Sequence, residues 1–223
     1  MNIGLAGHFV IANSWGGIVS FGIWQEYYAN LLVEKSAFDV SMIGSITVFL
    51  VFFIGTFTGR LTDAGYFRFV FITGSVLQIV GIFCTSFCTE YWQFMLAQGL
   101  CIGLGNGFTF CPCLALISTY FLKRRSIAIG ITASGSVLGG VIFPIMARQL
   151  LPQIGFPWTI RAIGFIQLGM IVVANILVKP RIKPRKSGPL VEFRAFLEME
   201  YTFYAMAAFF VCDGSLMKLS GEL

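Results

Sequence analysis

The chain has 223 residues, of which 57% are hydrophobic and only 11% charged, and its net charge is +5. A soluble domain carries about 25% charged residues, because charge keeps its surface in water. The composition therefore excludes a water-soluble enzyme or nucleic-acid module and makes lipid the main solvent.

A bilayer crossing needs about 20 apolar residues, since a helical residue rises about 1.5 Å and the hydrocarbon core is about 30 Å thick. Six segments pass this test, at roughly 4–25, 41–59, 67–88, 92–118, 126–147 and 162–178. All six lack Asp and Glu. Each crossing must satisfy its own backbone hydrogen bonds, so helices are expected throughout.

Span 1 begins almost at Met1 and contains His8, Asn13, Trp15 and paired glycines. It is longer than the apolar core of a signal peptide and is expected to be retained. The connection over 26–40 is mostly acidic, and the turn near Glu90 is short. The opposite side holds Arg60 and Arg68, then Lys123, Arg124 and Arg125 beside Tyr120, then the run KPRIKPRK from Lys179, and Arg194. Eleven cations fall on that side against Lys35, Arg148 and Arg161 on the other. The positive-inside rule places the amino terminus and the basic loops in the cytoplasm, with the plasma membrane as the default location.

Small residues four apart let helices approach closely in lipid, where burying leucine against leucine gains little. Gly99, Gly103 and Gly107 form such a stripe in span 4. Gly135, Gly139 and Gly140 form one in span 5, and Gly55 and Gly59 close span 2. Pro112 and Pro144 lie within spans, where proline removes a backbone donor and kinks a helix. GLGNG at 103–107 follows no strand, so it is not read as a phosphate loop.

Polar residues inside spans are functional candidates. They are Asn13, Gln78, Gln98, Asn106, Thr109, Gln167 and Asn175. Two readings stay open for the amides: interhelical hydrogen bonds, or the lining of a solute path by Asn13, Trp15, Gln98 and Asn106. The six cysteines lie mostly in apolar runs and are read as packing residues. With one histidine, no HExxH helix and no zinc spacing, neither a metal site nor a cofactor is expected, and a hydrolase is not expected.

Four stretches together resemble the first half of a major facilitator superfamily transporter, and more narrowly its fungal monocarboxylate-transporter-like branch. They are NSWGGIVSFGIWQEYY at 13–28, GRLTDAGYFR at 59–68, LAQGLCIGLGNGFTFCP at 96–112, and YFLKRRSIAIGITASGSVLGGVIFP at 120–144, followed by GFPWTIRAIGF at 155–165. The resemblance implies an all-α integral membrane fold: one six-helix half of a pair that rocks around a central solute site. It implies that Gly59, Asp63, Gly65 and Arg68 form a cytoplasmic latch. It also implies a small organic solute, a monocarboxylate among the candidates, with proton coupling left open.

The expected organisation is a six-helix half-domain over 1–178, a basic cytoplasmic linker over 179–200, and an incomplete seventh span with a polar tail over 201–223. YTFYAMAAFFVC at 201–212 is too short to finish a crossing before the polar DGSLMKLSGEL. The chain is thus expected to be a truncated half that works with a carboxy-terminal half. The alternatives are a second copy paired with it, or a fragment that transports nothing.

Overall fold

The computed structural model describes residues 2–33, 35–120 and 125–178. Lys123, Arg124, the linker expected at 179–200 and the incomplete span expected at 201–223 lie outside the described residues.

The described residues form helices: α1 (Asn2–Val19), α2 (Phe21–Leu31), α3 (Ala37–Leu61), α4 (Phe67–Thr85), α5 (Tyr91–Phe94), α6 (Gly103–Tyr120) and α7 (Arg125–Leu177). A π-helical stretch, Met95–Ile102, joins α5 to α6. Three runs are long and apolar enough to cross a membrane: Ala37–Thr85, Tyr91–Tyr120 and Arg125–Leu177. An unbroken helix of 49 residues would reach about 74 Å, far beyond one bilayer. The first run breaks at Gly65, where φ is +97°, and the last at Gly155, where φ is +74°. Left-handed backbone of this kind suits glycine, which has no Cβ to collide with the next carbonyl. The breaks give separate crossings α3 and α4, and limbs 125–154 and 156–177 of α7. With α1–α2 and α5–α6 the described residues make six crossings.

The helices outrun the apolar windows. Span 1 continues through a junction at Ser20 to Leu31. Span 5 reaches 154 rather than 147, and span 6 starts at 156 rather than 162. Hydropathy marks the lipid-facing part of a helix, while the hydrogen-bonded turns extend past it. Capping chemistry sets some ends. Ser36 begins α3 with a reciprocal cap: the Asp39 amide donates to Ser36 Oγ at 3.3 Å, and the Ser36 amide donates to Asp39 Oδ2 at 3.1 Å.

Close contacts fix the directions. A Cβ on Gly7 would meet Thr132, and one on Gly16 would meet Phe143, so α1 and the first limb of α7 run parallel. Gly99 approaches Ile43 and Gly107 approaches Ile54, so α3 and span 4 also run parallel. Gly74 faces Thr109 and Gly81 faces Ala97, so α4 opposes span 4. Ser86 meets Arg161 and Asn175 meets Ser75, so α4 opposes the last limb too. These directions are those of six successive crossings.

Two apolar clusters close the ends of the bundle. One gathers Trp24, Tyr28, Val40, Phe94, Phe156 and Ile160. The other gathers Val10, Phe67, Phe71, Cys113, Ile117 and Ala174. The exposed surface is strongly apolar: along the outside of α3 Phe49 stacks on Phe53, which meets Phe57 edge to face. Such a belt is stable only against hydrocarbon.

Candidate functional site

Most of the stripe glycines pack against neighbouring helices, but Gly59 of the span 2 pair has open space where a Cβ would stand. Gly135 and Gly139 lie on the backbone of α1, against the carbonyl oxygens of His8 and Ala12. A Cβ on Gly140 would lie 3.4 Å from Val19, an ordinary contact distance. Gly103 and Gly107 pack on Leu50 and Ile54, and a Cβ on Gly99 would lie 3.6 Å from the Ile43 carbonyl oxygen. Pro144 sits half-buried in the first limb of α7, next to buried Phe143.

The α1–α7 crossing leaves an open, mostly apolar hollow of about 330 Å³. It is lined by Trp15, Val19, Ser136, Val137, Gly140 and Val141. Trp15 is held edge-on between Phe52 and Phe110, with ring centroids 6.3 and 5.8 Å away. Two turns nearer the start of α1, half-buried His8 brings Nδ1 to 3.0 Å from the Ile131 carbonyl oxygen and 3.4 Å from Ser134 Oγ. One surface therefore carries an aromatic wall, small residues, hydroxyls and an imidazole.

A second set lies inside the bundle. Asn13, Ser14, Gln78, Asn106 and Gln167 are all buried. On each of their helices they fall between residues of the two apolar clusters: Asn13 between Val10 and Trp24, Gln78 between Phe71 and Ile82, Asn106 between Phe94 and Cys113, and Gln167 between Ile163 and Ala174. These polar residues thus lie between the two end clusters, beside a third apolar cluster of Ile11, Val51 and Phe110. Asn13 Nδ2 donates to the Gln167 carbonyl at 3.2 Å. Asn13 Oδ1, Ser14 Oγ and Asn106 Oδ1 have no hydrogen-bond partner among the described residues. Of the four sequence candidates for a path, only Trp15 lines the hollow. Asn13 and Asn106 are interior.

Gln98 belongs elsewhere. Its Oε1 accepts from the buried Tyr28 hydroxyl at 2.6 Å, and its carbonyl accepts from Thr47 Oγ1 at 3.2 Å. It sits in the π-helical stretch, where the widened turn disturbs the usual ladder and lets a side chain of α3 reach a carbonyl. Sequence reading found Gln98 but not its partners, because Tyr28 is 70 residues away.

The turn residues divide in the same way. Gly65 makes the turn itself. Asp63 is exposed, and Gly59 has open space where a Cβ would stand. Arg68 turns toward the end of α7, where Nη1 donates to the carbonyls of Asn175 and Val178 at 3.0 and 2.8 Å. A cation at a helix carboxy terminus satisfies orphan carbonyls and opposes the dipole. At the other end Arg161 donates to Ser86 Oγ at 3.1 Å and lies over the rings of Phe87 and Trp158. It anchors a helix end. Arg125 is exposed at the start of α7 and Tyr120 ends α6. Among the described residues no cluster of His, Cys, Asp and Glu could hold a metal.

The sequence pattern of the Major Facilitator Superfamily matches residues 4–219. The chain belongs to that superfamily. It is a multi-pass membrane protein of a transporter family, not an enzyme family. Among curated relatives, an MFS-type transporter of Gibberella zeae is 52% identical over 92% of this chain and 46% of its own length. The fujikurins efflux protein of Gibberella fujikuroi is 39% identical over 81% of the chain and 41% of its own length. The aspyridones efflux protein of Emericella nidulans is 38% identical over 92% of the chain and 42% of its own length. The chain therefore spans about half the length of these relatives. Among solved structures, the peptide transporter POT in complex with alafosfalin superposes with a TM-score of 0.65 at 18% identity. That match covers 93% of this chain and 45% of the transporter, and at such identity it speaks for the fold alone.

Proposed function

We propose that this superfamily member forms one half of a secondary transporter that moves a small organic solute by alternating access. The observation that carries the reading is the α1–α7 crossing, where backbones touch through Gly16 and Gly139 and leave an open hollow along the exposed side. Interlocked helices can rock as one body, and an exposed hollow on such a body suits a path shared with a second half. The partner in this reading is a carboxy-terminal half, since the chain spans about half the length of relatives such as the Gibberella zeae transporter. A second copy of this chain is the alternative.

Within the solute class, the sequence resemblance points to a monocarboxylate, and two relatives named for fujikurin and aspyridone efflux point to fungal metabolites. The hollow favours the second. It is lined by an indole, aliphatic residues, a glycine and one hydroxyl, with no cation to hold a carboxylate. In the same reading Gly59, Asp63 and Gly65 form the cytoplasmic latch, with Asp63 exposed and available to a partner. Arg68 supports that turn by tying it to the end of α7.

Transport is tested in liposomes holding the chain alone, or the chain together with the carboxy-terminal half of the Gibberella zeae relative. A panel of aromatic organic acids and neutral hydroxylated aromatics should move faster than in empty liposomes, and Gly139→Leu should stop the movement. Rates equal to empty liposomes in both preparations would sink the reading. The cytoplasmic amino terminus is tested by impermeant maleimide in a cysteine-free background. Ser36→Cys should label from outside intact cells and Ser187→Cys should not; the reverse pattern inverts the topology.

A further inference from the structure

His8 is the one histidine of the chain. It lies in α1, and its ring faces α7 across the helix crossing. Nδ1 stands 3.0 Å from the Ile131 carbonyl oxygen. That oxygen can only accept, so Nδ1 must carry a hydrogen and donate it. Ser134 Oγ donates to the same carbonyl at 2.7 Å and lies 3.4 Å from Nδ1, close enough to share the imidazole hydrogen. In neutral imidazole only one nitrogen is protonated, so this contact leaves Nε2 as a bare acceptor.

The surroundings mix polar groups with exposed aliphatic side chains, Ile127 and Ile131 among them. Ser134 beside the ring is exposed, and the hollow walled by Trp15 opens along the same crossing. The exposed side of α3, by contrast, is a ladder of phenylalanines. We infer that His8 is a solute-binding residue of the α1–α7 groove. Its Nε2 accepts a hydrogen bond from the hydroxyl of a phenolic or similarly hydroxylated organic solute, whose ring would pack toward Trp15. This rests on the transport reading for its purpose, but not for its chemistry.

Ionisable groups near His8 are few. α1 carries no Asp, Glu, Lys or Arg. On α7 the nearest is Arg125, six residues before Ile131, and Arg148 is 17 residues beyond it, about 26 Å along the helix. α6 offers Cys111, Cys113 and Tyr120, and the adjoining end of α3 offers Arg60. Glu26, Tyr27 and Tyr28 of α2 and Asp39 at the start of α3 belong to the opposite end of the bundle. The acceptor role therefore arises from the tautomer that Ile131 selects, without help from a carboxylate.

The test is nitrogen NMR of the full chain in nanodiscs, purified with a tag free of histidine, so that a single imidazole is observed. The neutral ring should show hydrogen on Nδ1 and none on Nε2. Titration with p-cresol should move the Nε2 resonance to saturation, after subtraction of cresol taken up by empty nanodiscs. His8→Asn places an amide nitrogen where Nδ1 stands and removes the distal acceptor. It should keep the thermal midpoint of the wild type and weaken cresol binding tenfold or more. His8→Gln, with an acceptor at the distal position, should recover part of the binding. A ring protonated on Nε2 overturns the proposal. So does cresol binding that is unchanged in His8→Asn. Both outcomes are read without any transport assay, so they are separable from failure of the transport reading.

Discussion

Gly16 of α1 and Gly139 of α7 meet backbone to backbone: a Cβ on Gly16 would lie 2.7 Å from the Gly139 carbonyl carbon. Real Cβ atoms essentially never come so close, so the crossing distance is set by the absence of two side chains. Lipid tails are as apolar as leucine, so this proximity, with its dispersion contacts, is a main source of helix association here.

Gly139→Ala should therefore loosen the crossing. Its Cβ would press on the Ala12 carbonyl. Overpacking of this kind costs about 1–3 kcal/mol. Gly130→Ala, on the same helix but in open space, is the control. It should be neutral or stabilising by up to about 1 kcal/mol, because alanine is the better helix former. Reversible unfolding in bicelles measures both. Equal midpoints for the two variants would show that α1 and α7 do not touch here.

Tyr28→Phe should destabilise more than its loss of one oxygen suggests. The hydroxyl is fully buried and is held by Gln98 Oε1 at 2.6 Å. Removing it leaves a half-buried acceptor without that donor, at a cost of about 1–3 kcal/mol. A double-mutant cycle with Gln98→Leu checks the pairing. The double variant should lose less than the sum of the two single losses.

Gly65→Ala should strain the turn between α3 and α4. At φ +97° an L side chain crowds the following carbonyl, which costs about 1–2 kcal/mol. Hydrogen exchange over residues 59–68 should quicken, and exchange over 99–107 should not. Exchange unchanged in both regions would mean that the turn adopts another conformation.

Arg68→Ala should fray the end of α7. Both hydrogen bonds of Nη1 go to its last carbonyls, Asn175 and Val178. The side chain is exposed, so solvent replaces part of the loss and the net cost is about 1 kcal/mol. Amides over 174–178 should exchange faster, and Arg68→Lys should restore part of the protection. A latch role alone, with no structural tie, would leave those amides unaffected.

Much of the fold could be read in sequence because lipid imposes a simple demand. Each crossing must be apolar and must close its own hydrogen bonds, so six apolar windows announce six helices. Most of the glycine stripes were legible as contact surfaces, with Gly59 the exception. The partners were not. Nothing local says that Gly139 meets Ala12, that Gln98 answers Tyr28, or that Arg68 reaches Val178. Trp15 could be named as a path residue, but Asn13 and Asn106 share the same polarity and turn inward.

The sequence alone determined the solvent, the helical class, the crossings and the superfamily resemblance. These depend on composition and on residues a few positions apart along one helix. Tertiary structure decided which helix faces which, that the amides turn inward, and that His8 Nδ1 meets the Ile131 carbonyl. Those outcomes depend on contacts between residues up to 154 positions apart, and a sum over local preferences does not contain them.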